Sequence, residues 1–312
     1  MKKYVVTGGA GFIGSGLVRA LQAKEDAEIV VIDSLLSGHK KNLDGTSQPV
    51  SFHKIDIRDY DGMAPLMQGA DTVFHLAAIP SVPKSIVDPI PSHDVNINGT
   101  FNVLRAAKDG GARRVVYAAS SSAYGDTEVL PKVETMKPLP KSPYALQKLV
   151  GEYYCSVFTT CFGLETIGLR FFNVFGPRQD PNSPYSGVLS LFMKHLIART
   201  PPTIHGDGGQ TRDFTYVEDV AGLVMKGSTA GVPGTTYNAG NGGRFSLNET
   251  WDILQKIEGV SIAPHYGPAR AGDVRDSQAD TKAAEAELGH APQFTFEEGL
   301  RRTLEWYKTS LA

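Results

Sequence analysis

In the first half of the chain the hydrophobic positions come in short unbroken runs rather than in alternation. Runs near Tyr4–Thr7, Glu28–Asp33, Val50–Asp56, Thr72–Ala77, Arg114–Ser120 and Glu165–Phe171 fit strands buried on both faces of a parallel sheet. Between them Phe12–Ala23, Asp61–Gln68, Ser92–Asp109 and Pro143–Phe162 carry helical period. Strand and helix alternate throughout residues 1–170, which predicts an α/β fold with a doubly wound parallel sheet.

Past Phe171 the texture changes. Gly176-Pro177, Pro201-Pro202 and Gly206-Asp207-Gly208-Gly209 punctuate shorter elements, as in a smaller, loop-rich region. Val217–Thr229 reads as a further helix, and Thr236–Ala239 as a short strand returning to the main sheet. The expected division is therefore discontinuous: residues 1–170, with 213–239 returning to them, form one domain, and 171–212 with 240–312 form the other.

Composition removes several classes of function. The 312 residues suffice for about two compact units. Lys and Arg number 31 against 33 Asp and Glu, a net charge of −2, with no clustered basic surface for nucleic acid. The two cysteines, Cys155 and Cys161, match neither a redox pair nor a zinc knuckle, and the eight histidines show no HExxH spacing, so no metal is expected. No apolar run approaches the ~18 residues of a membrane span, and no signal-peptide core follows Met1-Lys2-Lys3. A soluble cytoplasmic protein is expected.

The first chemical signal is Thr7-Gly8-Gly9-Ala10-Gly11-Phe12-Ile13-Gly14, between the first strand and the first helix. Glycine lets the backbone turn tightly and approach a pyrophosphate, and the helix start offers free N–H groups to it. Gly8, Gly11, Phe12, Ile13 and Gly14 are thus expected to bind a dinucleotide in a Rossmann fold. Asp33 ends the second strand 19 residues after Gly14, where a carboxylate accepts ribose hydroxyls and repels a 2′-phosphate, so NAD is preferred over NADP. Asp56 and Ile57 either hold the adenine amino group or make a turn. Leu76, Ala77 and Ala78 leave the fourth strand at the edge where cofactors sit, and His75 reads as a packed strand-end residue.

The second signal is Ser142-Pro143-Tyr144-Ala145-Leu146-Gln147-Lys148, a helix start with Ser142 as N-cap. Tyr144 and Lys148, four apart, share a face, and a neighbouring cation makes a tyrosine of pKa ~10 a usable base. A hydroxyl sharing the proton is expected among Ser120, Ser121 and Ser122, at the end of the fifth strand.

With these motifs the chain resembles the extended short-chain dehydrogenase/reductase family, in particular its nucleotide-sugar 4-epimerase branch. The resemblance covers essentially the whole chain. It includes Leu169-Arg170-Phe171-Phe172-Asn173-Val174-Phe175-Gly176-Pro177-Arg178, Gly209-Gln210-Thr211-Arg212-Asp213-Phe214 and Arg270-Ala271-Gly272-Asp273. It implies that Tyr144, Lys148 and, by register, Ser120 are catalytic, with Ser122 the second choice for the serine. Tyr144 and Lys148 would also touch NAD. Asn173, Arg212 and Arg270 would hold a substrate diphosphate and Asp273 the uridine ribose, with Ser121, Ser122, Arg178, Gln179, Gly187, Val188 and Ser277 completing the UDP-sugar site.

Two departures narrow the activity. Dehydratases and decarboxylases of the family carry acidic residues before the Tyr-Gly of the fifth-strand motif, where this chain has Ser121-Ser122-Ala123. Galactose-type epimerases carry a lysine where this chain has Ile79-Pro80. The implied function is an NAD-dependent UDP-hexose 4-epimerase acting through a 4-keto sugar, with Tyr144 as base, Ser120 sharing the proton and Lys148 lowering the tyrosine pKa. The resemblance makes UDP-N-acetylglucosamine and UDP-glucose the expected substrates, since it places the small Ser277 at the wall where a bulky residue would crowd an N-acetyl group. The alternatives are a UDP-glucuronate 4-epimerase, with Arg178 as the extra cation, and a non-catalytic NAD-binding regulator. A homodimer through Ser92–Asp109 and Pro143–Phe162 is expected, with Leu149, Tyr153, Val157 and Phe158 supplying apolar surface and both cysteines packing.

Overall fold

The structure is a computed structural model that describes residues 1–24, 26–180, 187–269 and 274–310. In chain order the first part runs β1 (Lys2–Thr7), α1 (Phe12–Lys24), β2 (Ala27–Ile32), β3 (Ser51–His53), α2 (Tyr60–Met67), β4 (Thr72–His75), α3 (Val82–Val87), α4 (Ile90–His93), α5 (Thr100–Asp109), β5 (Arg114–Ser120), α6 (Pro143–Phe162) and β6 (Glu165–Phe171). The second part adds β7 (Asn173–Phe175), α7 (Val188–Ile197), β8 (Thr203–His205), β9 (Thr211–Arg212), β10 (Phe214–Tyr216), α8 (Val217–Lys226), β11 (Thr235–Ala239), β12 (Phe245–Ser246), α9 (Leu247–Glu258), β13 (His265–Gly267), α10 (Lys282–Leu288) and α11 (Phe296–Ser310).

Seven strands form one parallel sheet in the order β11-β6-β5-β4-β1-β2-β3. From β1 the chain winds outward to β3, then returns to β4 on the other side of β1 and winds the opposite way. The reversal opens a crevice at the carboxyl ends of β1 and β4, where ligands bind in sheets of this kind. Strand side chains alternate between the faces: Val6 packs with Leu17, Leu21, Val220 and Val224 beneath α1 and α8, while Val5 packs with Met63, Val103 and Leu104 beneath α2 and α5. Burial on both faces explains the unbroken apolar runs. A third core, around Phe192, Trp251 and Phe296, joins α7, α9 and α11. Ala284 and Leu288 of α10 belong to the core beneath α1.

The structure departs from the sequence reading in several elements. The run Val50–Asp56 pairs only through Ser51–His53, because Asp56 turns the chain: its carbonyl accepts from the Asp59 N–H at 2.9 Å. The run Thr72–Ala77 leaves the sheet at His75. The helix expected from Ser92 begins at Ile90 and passes through a π-helical stretch, Asp94–Gly99, before α5. Gly99 belongs there because a Cβ at that position would meet Ile57 Cδ1 at 2.6 Å. The short α3 is not among the predicted helices, although Ser81 caps it by accepting from the Lys84 N–H. Leu149 and Phe158, expected on the outside of α6, are buried instead, Phe158 in the core that holds Val103 and Val115, and Cys161, expected to pack, is exposed. Among the described residues no helix is long and apolar enough to cross a membrane, and no cluster of His, Cys, Asp and Glu could hold a metal.

Candidate active site

The turn after β1 works by the absence of side chains. Gly8 has φ +72°, and a Cβ on it would stand 2.7 Å from the Ala77 backbone nitrogen. A Cβ on Gly14 would meet the Gly8 carbonyl oxygen at 2.1 Å. The start of α1 is thereby pressed against the β1 and β4 exits, and Gly8, Gly11, Phe12, Ile13 and Gly14 line a large cleft with Leu76, Ala77 and Ala78.

Asp33 and Asp56 lie in the same cleft. Asp33 is buried, accepting from Ala10 N–H at 2.9 Å on one oxygen and Leu35 N–H at 2.8 Å on the other. Burial raises its pKa and these bonds oppose the rise. Each carboxylate oxygen keeps a lone pair for a ribose hydroxyl. Asp56 pairs with Arg58 at 2.8 Å, and Arg58 lowers its pKa, so it stays charged. Ile57 is a buried wall residue. His75 is packed between Thr7 Oγ1 at 2.8 Å and Thr100 Oγ1 at 2.9 Å; burial pulls its pKa down to about 3, which keeps it neutral.

The candidate proton-transfer groups gather at the end of β5 and the start of α6. Ser142 caps α6 by accepting from Ala145 N–H at 3.1 Å, worth about 1 kcal/mol, with Pro143 following. Burial raises the Tyr144 pKa, and the neighbouring Ser120 hydroxyl opposes the rise. Ser120 Oγ lies 2.8 Å from Ser122 Oγ.

Lys148, one helical turn beyond Tyr144, points toward β5: its ammonium donates to the Ala118 carbonyl at 2.8 Å and lies 5.0 Å from the Tyr117 ring centroid. The β5 carbonyl draws the charge toward the strand. Burial lowers the Lys148 pKa to about 8, opposed by Cys155 and Glu152.

Several supporting residues escaped the sequence reading. Ser85 of α3 accepts from the Tyr144 backbone N–H at 3.1 Å. Asn96, in the π-helical stretch, donates to Gln147 Oε1 at 3.0 Å and accepts from Ile79 N–H at 2.9 Å, tying α6 to the β4 exit. A buried Asn and a Gln in helical stretches were the available signal.

A smaller cleft adjoins the first. Ser121, Ser122, Asn173, Arg212 and Ser277 line it, and Ser120, Tyr144, Phe171 and Phe172 line both clefts. Arg212 Nη1 donates to the Thr211 and Arg275 carbonyls at 2.8 and 3.1 Å, and Ser277 N–H donates to Thr211 at 3.2 Å. Arg178, Gln179 and Gly187 were grouped with these residues in sequence, yet they line the larger cleft, because the chain turns at Gly176 (φ 151°) and Arg178 (φ 71°). Val188 opens α7, partly exposed. Arg270 and Asp273 lie outside the described residues.

A glycine-cradled cleft thus meets a polar cleft at a hydroxyl pair. The family model for the NAD dependent epimerase/dehydratase family matches residues 4–240. The chain belongs to that family. Over 308 residues it is 36% identical to the UDP-glucose 4-epimerase of Mycolicibacterium smegmatis, covering 97% of this chain and 98% of that one. Its structure is similar to that of a UDP-N-acetylglucosamine 4-epimerase from Methanobrevibacter ruminantium M1 in complex with UDP-N-acetylmuramic acid, with TM-score 0.94, 36% identity and 99% and 98% of the two chains covered. It is also similar to that of the UDP-glucose 4-epimerase of Thermotoga maritima with UDP-glucose, with TM-score 0.94, 34% identity and coverage of 99% and 100%.

The larger cleft of this epimerase/dehydratase family member suits NAD. A Cβ at Gly8 would collide with the Ala77 backbone and one at Gly14 with the Gly8 carbonyl, so only glycine lets the turn and the start of α1 close up as a pyrophosphate site requires, and the buried Asp33 carboxylate matches a ribose while opposing a 2′-phosphate.

Proposed function

We propose that the protein is an NAD-dependent UDP-hexose 4-epimerase that accepts UDP-N-acetylglucosamine as well as UDP-glucose. The observation that carries this reading is that Ser120 and Tyr144 line both clefts. A proton can be exchanged there with a sugar hydroxyl while the cofactor is next to the same carbon.

The chemistry that NAD supplies when bound is reversible hydride exchange with carbon 4 of the sugar. Gly8, Gly11, Phe12, Ile13, Gly14, Asp33, Asp56, Ile57 and Leu76–Ala78 would hold it. Tyr144 takes the proton of the 4-hydroxyl and later returns it, using the Ser120 and Ser122 hydroxyls as a short relay. Lys148, fixed to Ala118, lines the larger cleft and supplies positive charge at the tyrosine's helix face as the proton leaves. Asn173, Arg212, Arg270 and Asp273 hold the UDP moiety, so the sugar can present either face without leaving. Arginine suits this anchor through paired, charge-assisted bonds to phosphate.

Arg178 lines the larger cleft, which favours the neutral hexoses over a uronate that would need its charge. The regulator reading leaves the Ser120–Tyr144–Lys148 set without a task. Two free cysteines suit a cytoplasmic setting. The deciding experiment incubates the protein with UDP-glucose, UDP-N-acetylglucosamine and UDP-glucuronate separately and resolves the 4-epimers by chromatography. Conversion of the first two is expected; no conversion of any sugar would overturn the reading.

A further inference from the structure

We propose that Arg178 is a cation held in reserve in the wall of the larger cleft, where it binds a diphosphate, that of the dinucleotide. The inference rests on the reading of that cleft as an NAD site.

Three observations converge. Arg178 adopts φ 71°, a left-handed conformation that side chains with a Cβ rarely take. Its guanidinium is partly buried, yet among the described residues it makes no hydrogen bond and no ion pair. The charged and titratable groups around it are Arg19, which repels it, and Glu218 and Tyr216, which favour its charge from a distance. Burial and Arg19 both push its pKa down. A strained, desolvated cation beside another cation has no advantage for the empty fold. Its surroundings are those of an anion site.

The loop holds it there from both sides. Tyr307 of α11 donates to the Gln179 carbonyl, and His39, on the loop after β2, faces Asp180 at 3.5 Å. His39, Gln179 and Asp180 line the larger cleft with Arg178, Gly11, Phe12 and Ile13. The N–H groups at the start of α1 approach a pyrophosphate from one side, and Arg178 supplies a planar pair of donors from the wall. A diphosphate occurs in both NAD and UDP. The lining decides between them: Arg178 shares its cleft with the glycine turn, whereas Asn173 and Arg212 share the other.

The test is calorimetric titration of charcoal-treated protein with NAD and, separately, with UDP, for the wild type, Arg178→Ala, Arg178→Gly and Arg178→Lys. Thermal unfolding of the same NAD-free proteins is measured alongside. Arg178→Ala should weaken NAD at least ~10-fold, the size of a lost charge-assisted bond, and leave UDP within ~2-fold. Arg178→Lys should recover part of the loss. NAD-free Arg178→Gly should melt no lower than wild type, since it relieves the left-handed strain. NAD binding by the wild type with equal affinity in Arg178→Ala would overturn the assignment alone, as would a loss confined to UDP or a clear drop in the melting temperature of Arg178→Gly. A wild type that does not bind NAD would overturn the cofactor reading and this assignment together.

Discussion

Glu152 and Arg170 form a buried ion pair through hydrogen bonds of 3.0, 3.2 and 2.8 Å, one helical turn beyond Lys148. Arg170 in turn stacks over the Tyr124 ring, 4.5 Å from its centroid, and the Tyr124 hydroxyl donates to Asn238 at 2.6 Å. The helix α6 is thus fastened through the sheet to the turn that carries Ser120–Ser122. Glu152 also faces Lys148 and favours its charge.

Lys148 makes the site alkali-sensitive. Burial lowers its pKa to about 8, so the ammonium is lost as pH rises through that value. Turnover should fall above pH 8, and Lys148→Arg, charged throughout, should remove that limb at lower overall activity. The stability effect has the opposite sign. In the unfolded chain lysine stays protonated to ~10.4, so between about 8 and ~10.4 the unfolded state binds more protons and the burial penalty of Lys148 is relieved. Wild type should therefore gain stability relative to Lys148→Met over that window in urea melts. A rate profile flat to pH 10 would contradict the assignment.

Glu152→Gln removes the charge that supports Lys148 and strands Arg170. Breaking one side of a buried pair typically costs about 3–5 kcal/mol. Urea unfolding should show a loss of that size, and the alkaline limb should move to lower pH. An unmoved limb would mean that Glu152 is only a brace for Arg170.

Tyr144→Phe retains the ring and the Ser85 contact, which uses the backbone N–H, but loses the proton. Turnover should drop at least ~10²-fold while NAD and UDP binding stay nearly intact. Single-turnover kinetics with calorimetry separates the two effects. Wild-type turnover in this variant would end the mechanism.

The legible parts of the fold and site are those encoded locally. The Gly8–Gly14 turn, the Ser142-Pro143 helix start and the four-residue spacing of Tyr144 and Lys148 each follow from neighbours in the chain. What the sequence concealed depends on contacts between distant segments. Ser85 meets Tyr144 from 59 positions away and Asn96 meets Gln147 from 51, so no window along the chain contains either pair. Arg178 follows a motif that holds Asn173, yet one left-handed residue sends it to the other cleft. The inward turn of Leu149 and Phe158 has the same origin, because helical period defines an apolar face without saying which neighbour covers it.

The outer face of α6 carries Leu146, Tyr153 and Val157 with 50%, 58% and 48% of their surface exposed. Positions i, i+7 and i+11 lie on one stripe of a helix, and Phe101 of the adjoining α5 is exposed as well. We propose that two copies bury these stripes against each other. Light scattering should give twice the protomer mass at micromolar concentration, and the double substitution Leu146→Glu with Tyr153→Glu should give the protomer mass without unfolding. A wild-type monomer would rule the interface out.

Ser277 tests the choice of sugar. It is 9% exposed, lines the smaller cleft with Ser121, Ser122 and Asn173, and is fixed by its backbone N–H on Thr211. Its neighbour Asp276 accepts from Thr211 Oγ1 and pairs with Arg244 at 3.2 Å, so this wall is held to β9 by more than one bond and cannot swing aside. A tyrosine introduced there must project into the cleft or overpack the wall. If Ser277 makes the space for a 2-N-acetyl group, Ser277→Tyr should abolish turnover of UDP-N-acetylglucosamine and spare UDP-glucose, a separation by steric exclusion rather than by lost attraction. The measurement is kcat/KM for both sugars, with UDP affinity as the control for an intact site. Equal loss on both sugars, or no loss on either, would place the N-acetyl pocket elsewhere.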